Sequence, residues 1–198
     1  MTMAIHQLRP TSEDERPQID FQRSDTAASD EHVSNLETYS PSSLPATPVA
    51  QLVGTDPSAT SWDFFAAPGT LGLVSRRAVD ALRPHVGGCF GFVPARLDGA
   101  PYSFIVRTGT IDALDRERSK LKYFRSSPHR VLRILEHAFH REALEDVGLF
   151  AIPESLMGIF GTEVAVRDLK DAGLRGLRFD LLDVSDLPSG DRGSPERD

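Results

Sequence analysis

The sequence predicts an α+β fold: a single domain over residues 49–184, with a mixed or antiparallel sheet and a few short helices. Disordered acidic tails at 1–48 and 185–198 are expected to flank it. Three observations predict this. Capped helical segments alternate with strand-like runs, the two kinds recur in the same order at a fixed interval, and the net charge lies outside the body. The chain has 198 residues and a net charge of −7. Residues 1–48 hold eight acids and three bases, and 185–198 hold four acids and two bases, so 49–184 keeps 17 of each and is neutral. Within that body, 107–141 has nine Arg/Lys against four acids, whereas 142–184 has four against nine. If those segments fold to different sides, the body is electrically two-faced.

Taken in order, residues 1–48 contain five prolines and twelve Ser/Thr with few large apolar residues. Such a stretch buries too little apolar area to offset its ordering entropy, so it reads as mostly disordered, with "PQIDFQR" as the stretch able to dock. Order begins near "VAQLVG" and "SWDFFAAPG", where Trp62, Phe64 and Phe65 read as a core edge. Ser75 caps a helix whose Ala78, Val79 and Leu82 lie at helical spacing, and Pro84 closes it. "GGCFGFVPARL" alternates Phe90 and Phe92 against small residues, as a strand does. "APYSFIVRTG" gives a second strand with Tyr102, Phe104 and Val106 on one side.

Residues 127–148 admit two readings. Ser127 as cap, Pro128 in the first turn and Gly148 as stop fit one long helix. Val131 to Leu135 equally fits a short buried strand, with "REALEDVG" as a separate short helix. Thr162 then caps a helix whose stripe is Val164, Ala165, Val166, Leu169 and Ala172. Gly173 stands where a left-handed C-cap belongs. Phosphate loops place glycines after a strand and before a helix. In "GLRGLRFDLLDV" they follow a helix and precede a strand, in which Leu177, Phe179 and Leu181 alternate with Arg178 and Asp180. Phe179 reads as a core aromatic. The closing residues 185–198 share the composition of the first tail.

An internal echo ties these elements together. A shift of 87 lays Ser75 on Thr162, Ala78 on Ala165, Val79 on Val166, Leu82 on Leu169 and Phe92 on Phe179. Both copies read cap, short helix, glycine, aromatic strand; whether duplication or shared local physics underlies the five matches, two similar helix–strand units imply an α+β body.

Candidate chemistry is sparse. His129, His137 and His140 lie close together with Glu136 and Glu142 nearby, and on a helix His137 and His140 would share a face. The HExxH spacing of a zinc site is missing, and the plain reading is of solvated or partly buried histidines. Cys89 with His85 lacks a third orienting group and reads as a small core residue. Neither GxSxG nor a Walker motif occurs. No catalytic residue, no metal site and no cofactor is expected. No apolar run approaches the roughly 18 residues of a membrane helix. The N-terminus lacks the basic start and apolar run of a signal peptide, and a single cysteine suits a reduced compartment, so a cytoplasmic location without membrane partners is expected. The basic run "RERSKLKYFRSSPHRVLR", residues 116–133, interleaves Tyr123 and Phe124 and raises nucleic-acid binding as the alternative function. The neutral body and acidic tails weigh against it.

Three stretches together resemble a known family. They are "LVSRRAVDAL…FVPARL", "YSFIVRTGTIDALDRERS" and "GLFAIPE…VAVRDLKDAGLRGLRFDLLDV", spanning roughly Trp62 to Val184. In order and spacing they are similar to the eleventh catalogued family of immunity proteins from bacterial polymorphic toxin systems. The family's serine-capped helix, its tyrosine-bearing strand, its Asp…Ser pair (Asp115 and Ser119 here) and its closing "GLxGxxF" (Gly173, Gly176, Phe179) all have counterparts. The first 48 residues have none. The resemblance implies a non-catalytic protein that binds and neutralises a cognate toxin, and it favours the extended reading near Val131 to Ala138. Asp115 and Ser119, with the adjoining Arg116 and Arg118, are the candidate partner-binding residues. The acidic segment 142–184 would suit a basic toxin such as a nuclease.

Overall fold

In the computed structural model, residues 4–11, 19–20, 42, 44–54, 56, 58–67, 70–155 and 157–182 are described. The expected tail at 185–198 and most of 12–48 lie outside the described residues. Among these residues, twelve strands and two α-helices make an α+β fold dominated by strands. One sheet has the order β10 (Leu149–Phe150), β11 (Ile159–Thr162), β1 (Ile5–Pro10), β12 (Leu177–Leu182); a second has β2 (Ile19–Asp20), β3 (Gln51–Gly54), β6 (Phe90–Leu97), β7 (Ala100–Arg107), β5 (Gly72–Ser75), β4 (Phe64–Phe65); and β8 (Lys120–Phe124) pairs with β9 (Ser127–Glu136).

The second sheet forms around one β-α-β unit. Strand β5 (Gly72–Ser75) leads into helix α1 (Arg76–Leu82), which returns as β6 (Phe90–Leu97). Ser75 caps the helix as expected, its hydroxyl accepting from the Ala78 N–H at 3.1 Å. Strand β7 (Ala100–Arg107) lies between β5 and β6, antiparallel to both. β4 (Phe64–Phe65) extends the β5 side, and β3 (Gln51–Gly54) runs parallel to β6 with β2 (Ile19–Asp20) beyond it. Tyr102, Phe104 and Val106 do share one face, packed with Phe65, Leu73, Val93 and Leu97. The opposite face, with Val74, Phe90 and Ile105, meets Ala78, Val79 and Leu82 of the helix.

The first sheet repeats this plan. β11 (Ile159–Thr162) leads into α2 (Glu163–Asp171) and β12 (Leu177–Leu182), and β10 (Leu149–Phe150) flanks β11. The strand between β11 and β12 is β1 (Ile5–Pro10), antiparallel to both. This corrects the expected tail at 1–48: Ile5 and Leu8 are buried at the centre of a sheet. A window averaged over 48 residues hides a six-residue strand whose burial comes entirely from neighbours about 150 and 170 positions away. "PQIDFQR" likewise contributes β2.

The offset of 87 is a structural repeat. Moved by 87, β5 covers β11 residue for residue and β6 starts where β12 starts. Ser75 pairs with Tyr102 as Thr162 pairs with Ile5, and Phe92 pairs with Ile105 as Phe179 pairs with Leu8. The Ser75 N–H donates to the Asp63 carbonyl, and the Thr162 N–H to the Gly148 carbonyl, at 2.9 and 3.0 Å. A cation even covers the same ring: Arg83 lies 5.5 Å from the centroid of Phe92, and Lys170 5.6 Å from that of Phe179. Phe179 is therefore only half-buried, which corrects its assignment to the core. It sits on an edge strand, roofed by a lysine stem, and two residues further on Leu181 is 65% exposed.

Glycines close the second unit against the first. Gly173 has φ +60° and its N–H bonds the Lys170 carbonyl, the expected left-handed cap. Gly176 has φ +90°, and a Cβ there would stand 2.3 Å from the Phe64 carbonyl oxygen. The cap and the tight approach let Asp63, between Trp62 and Phe64, gather both units. Its carboxylate accepts from Ser75 Oγ at 2.6 Å, Arg77 Nη2 at 2.5 Å and the Arg175 N–H at 2.9 Å. Arg77 also donates to the carbonyls of Ala172 and Gly173. Burial alone would raise the Asp63 pKa, but the hydrogen bonds from Arg77, Ser75 and Arg175, with the Arg77 charge, hold it below the ordinary carboxylate value.

Candidate functional site

Residues 127–136 are a strand, not a helix. β8 (Lys120–Phe124) and β9 (Ser127–Glu136) form a hairpin arm in which no residue is fully buried. Leu121 and Ile134 pack it against the main core; the rest stands free of it. Register shifts at three points break the alternation, so the strand shows no two-residue period in its sequence. The arm carries five Lys/Arg and one acid, Glu136, which pairs with Lys120 at 2.9 Å.

The arm is rooted by the sequence-predicted pair. Asp115 Oδ1 accepts from the N–H groups of Glu117 and Arg118 at 3.1 and 3.0 Å, making a tight turn. Ser119 Oγ accepts from the Ala138 N–H at 3.0 Å and donates to the Ala138 carbonyl at 3.3 Å. Asp115 and Ser119 thus join the two ends of the arm at its base, with Asp115 buried. Arg118 lies 3.9 Å from Asp115. Arg116 points the other way, donating to Asp112 at 2.7 Å and to Glu154 at 2.6 Å. Hydrogen bonding to Asp112 raises the Arg116 pKa; burial opposes this and Glu154 adds to it.

Between the arm and the outer face of the first sheet runs a groove of about 930 Å³. Seven consecutive β9 residues, 128–134, line it, against two of β8, so the edge of β9 that β8 does not use faces the groove. Its floor is Gln7 and Arg9 of β1, and its far wall is Pro153, Glu154, Ser155 and Met157. Arg9 donates to Gln7 at 2.7 Å and lies 3.4 Å from Asp180. Glu154 is 6% exposed at its side chain, and its Oε2 has no hydrogen-bond partner among the described residues. Arg130 stacks over Phe124 at 5.2 Å, and among the described residues neither it nor Arg133 meets a carboxylate. Around these cations Tyr123 (42%), Leu132 (47%) and Met157 (50%) are exposed, and Leu135 (48%) stands on the same arm.

The remaining candidates are dispersed. His137 lines the groove, stacked on Phe139 with ring centroids 5.8 Å apart; burial, then the charge of Arg9, lowers its pKa. His140 is exposed, so the shared helical face imagined for His137 and His140 does not form. His129 bonds Ser127 at 3.1 Å, and His85 lies 3.6 Å from Asp168. Cys89 is a buried core residue. Among the described residues no three of His, Cys, Asp and Glu converge as metal ligands. Among them, too, no helix is long and apolar enough to cross a membrane. The basic run 116–133 flagged the arm, but Gln7, Arg9, Glu154 and Met157 come from segments without any local signature. The chain matches no family model and no curated protein.

Proposed function

We propose that this chain is an immunity protein: it binds a cognate bacterial toxin and neutralises it by occupancy, without chemistry of its own. The observation that carries this reading is the arm over its groove. Exposed apolar side chains, free cations and an unpaired strand edge meet on one side of an otherwise packed unit, which is what protein recognition uses. The residues matched to the immunity family agree with it, since Asp115 and Ser119 build the base from which the arm extends. In the acidic segment 142–184, three of the nine acids, Glu154, Asp168 and Asp180, are paired with Arg116, Arg167 and Arg178. Co-expression with the toxin domain encoded beside it should restore growth, and the two should co-purify with about nanomolar affinity. The rival reading, a nucleic-acid-binding regulator, draws on Arg130, Arg133 and Tyr123. It would be favoured if no toxin neighbour exists and the protein shifts DNA or RNA with a steep salt dependence.

A further inference from the structure

The two-stranded arm is an incomplete sheet. A lone hairpin is marginal in water, and a third strand supplies the missing main-chain bonds. Among the described residues no backbone hydrogen bond joins the outer edge of β9 to any other segment. That edge faces the groove over residues 128–134. We propose that the groove receives an extended, acidic segment of the toxin, added as a strand along β9, with its carboxylates on Arg130 and Arg133 and an apolar side chain against Leu132 and Met157. This rests on the immunity reading for the partner's identity and specifies the chemistry of its contact.

Charge decides between occupants. A second copy of this arm would set five Lys/Arg against five, and Pro128 and the basic side chains on β9 blunt self-pairing. An acidic strand reverses that repulsion and satisfies two cations that have no carboxylate partner. Arg116 is already neutralised by Asp112 and Glu154, and Arg9 shares Asp180 with Arg178, so the attraction is centred on β9. A nucleic acid would meet the same cations, but the exposed Leu132 and Met157 beside them suit an apolar side chain of a peptide rather than a phosphate backbone.

The test uses the full chain and a fluorescent peptide of about ten residues alternating Glu and Val. Three comparison probes are the Lys-for-Glu peptide, the Glu peptide with alternate backbone nitrogens methylated, and a single-stranded RNA of equal length. Anisotropy should show the Glu peptide binding best, with affinity falling about tenfold on methylation and about tenfold in R130E/R133E. Both arginines are exposed, so that variant should keep the wild-type melting temperature. Equal binding of the methylated peptide, preference for the Lys peptide, or tighter binding of RNA would each overturn the proposal. Growth rescue separates the two readings. If R130E/R133E neutralises the toxin as well as wild type does, the groove assignment fails and the immunity reading stands. If no toxin is neutralised but the peptide results hold, the immunity reading fails and the acidic-strand site stands.

Discussion

The unit built on β5, α1 and β6 and the unit built on β11, α2 and β12 share register, the position of the helix N-cap and even a cation over an aromatic ring, yet their outer faces differ at three matched positions. In the first, the middle strand β7 presents Phe104 and Val106 outward, and β6 presents Val93; all three are buried under a second apolar cluster. The matching positions of the second unit are Gln7, Arg9 and Asp180. These positions are polar and Gln7 and Arg9 lie under the arm, whereas Ile5 and Phe160 on the same face are buried in the main core. A repeated framework thus carries two fates: one outer face is buried along its middle strand, and the other is left open at Gln7 and Arg9. The connector between flanking strands is also two residues longer in the second unit, running 151–158 where the first has 66–71, and it supplies the groove's far wall.

The comparison can be broken most severely at the middle strands. Deleting residues 1–11 removes β1, so the protein should lose cooperative thermal unfolding; a truncated chain that melts like the full one would refute the repeat. Next come the paired outer positions. Phe104→Ala should cost roughly 3–5 kcal/mol as a fully buried aromatic, whereas its counterpart Gln7→Ala should change stability by less than about 0.5 kcal/mol. Denaturant titration of both decides it, and similar losses would erase the contrast.

Asp63, which joins the units, should show a pH signature. Its folded pKa is depressed, so its stabilisation is present above the unfolded carboxylate value and is lost as pH falls below about 4. Asp63→Asn should lower stability at pH 7 by about 2–3 kcal/mol and flatten that acid limb. At the alkaline end, burial, then the charges of Asp63 and Asp98, pushes the Tyr102 hydroxyl up to about 12. It donates to the Trp62 carbonyl at 2.8 Å. Because the raised pKa belongs to the folded state, this stabilisation is complete below the unfolded value of about 10 and disappears as pH rises through about 12. Tyr102→Phe should remove that dependence at a cost of about 1 kcal/mol. An unchanged alkaline limb would mean that the hydroxyl is not the group responsible.

Smaller effects sharpen the likeness. Phe92→Ala and Phe179→Ala, each half-buried under its cation, should cost about 1–2 kcal/mol and nearly the same amount. Gly173→Ala, with open space for a Cβ, should cost about 1 kcal/mol. At Gly176 the same change also drives a Cβ into the Phe64 carbonyl, so it should cost more.

Much of this framework was legible locally. Ser75 and Gly173 mark helix ends because capping is decided within a few residues; Thr162 holds the N-cap position of α2, but its hydroxyl donates to the Val147 carbonyl instead of capping. The shift of 87 aligned the two segments, and the strand pairing shows that they form matching units. β1 was not legible, since "IHQLRP" has two buried apolar residues and its partners lie at the far end of the chain. The arm left helix and strand open because a strand exposed on both faces, with register shifts, has no alternation to read. Asp63 carried no signal either: one acid in "SWDFF" gains its meaning from Arg77 and from Arg175, 112 residues away. The groove shares this property, because Arg9, Glu154 and β9 meet only after both units have formed.

The open face as the binding face is the central claim, and backbone hydrogen exchange on the complex with the neighbouring toxin domain tests it most directly. Amides of residues 128–134 should gain protection on binding, with Gln7 and Arg9 following, while those of β6 and β7 stay as they are in the free protein. Protection gained along α2 and residues 141–146 instead, with β9 unchanged, would contradict the account.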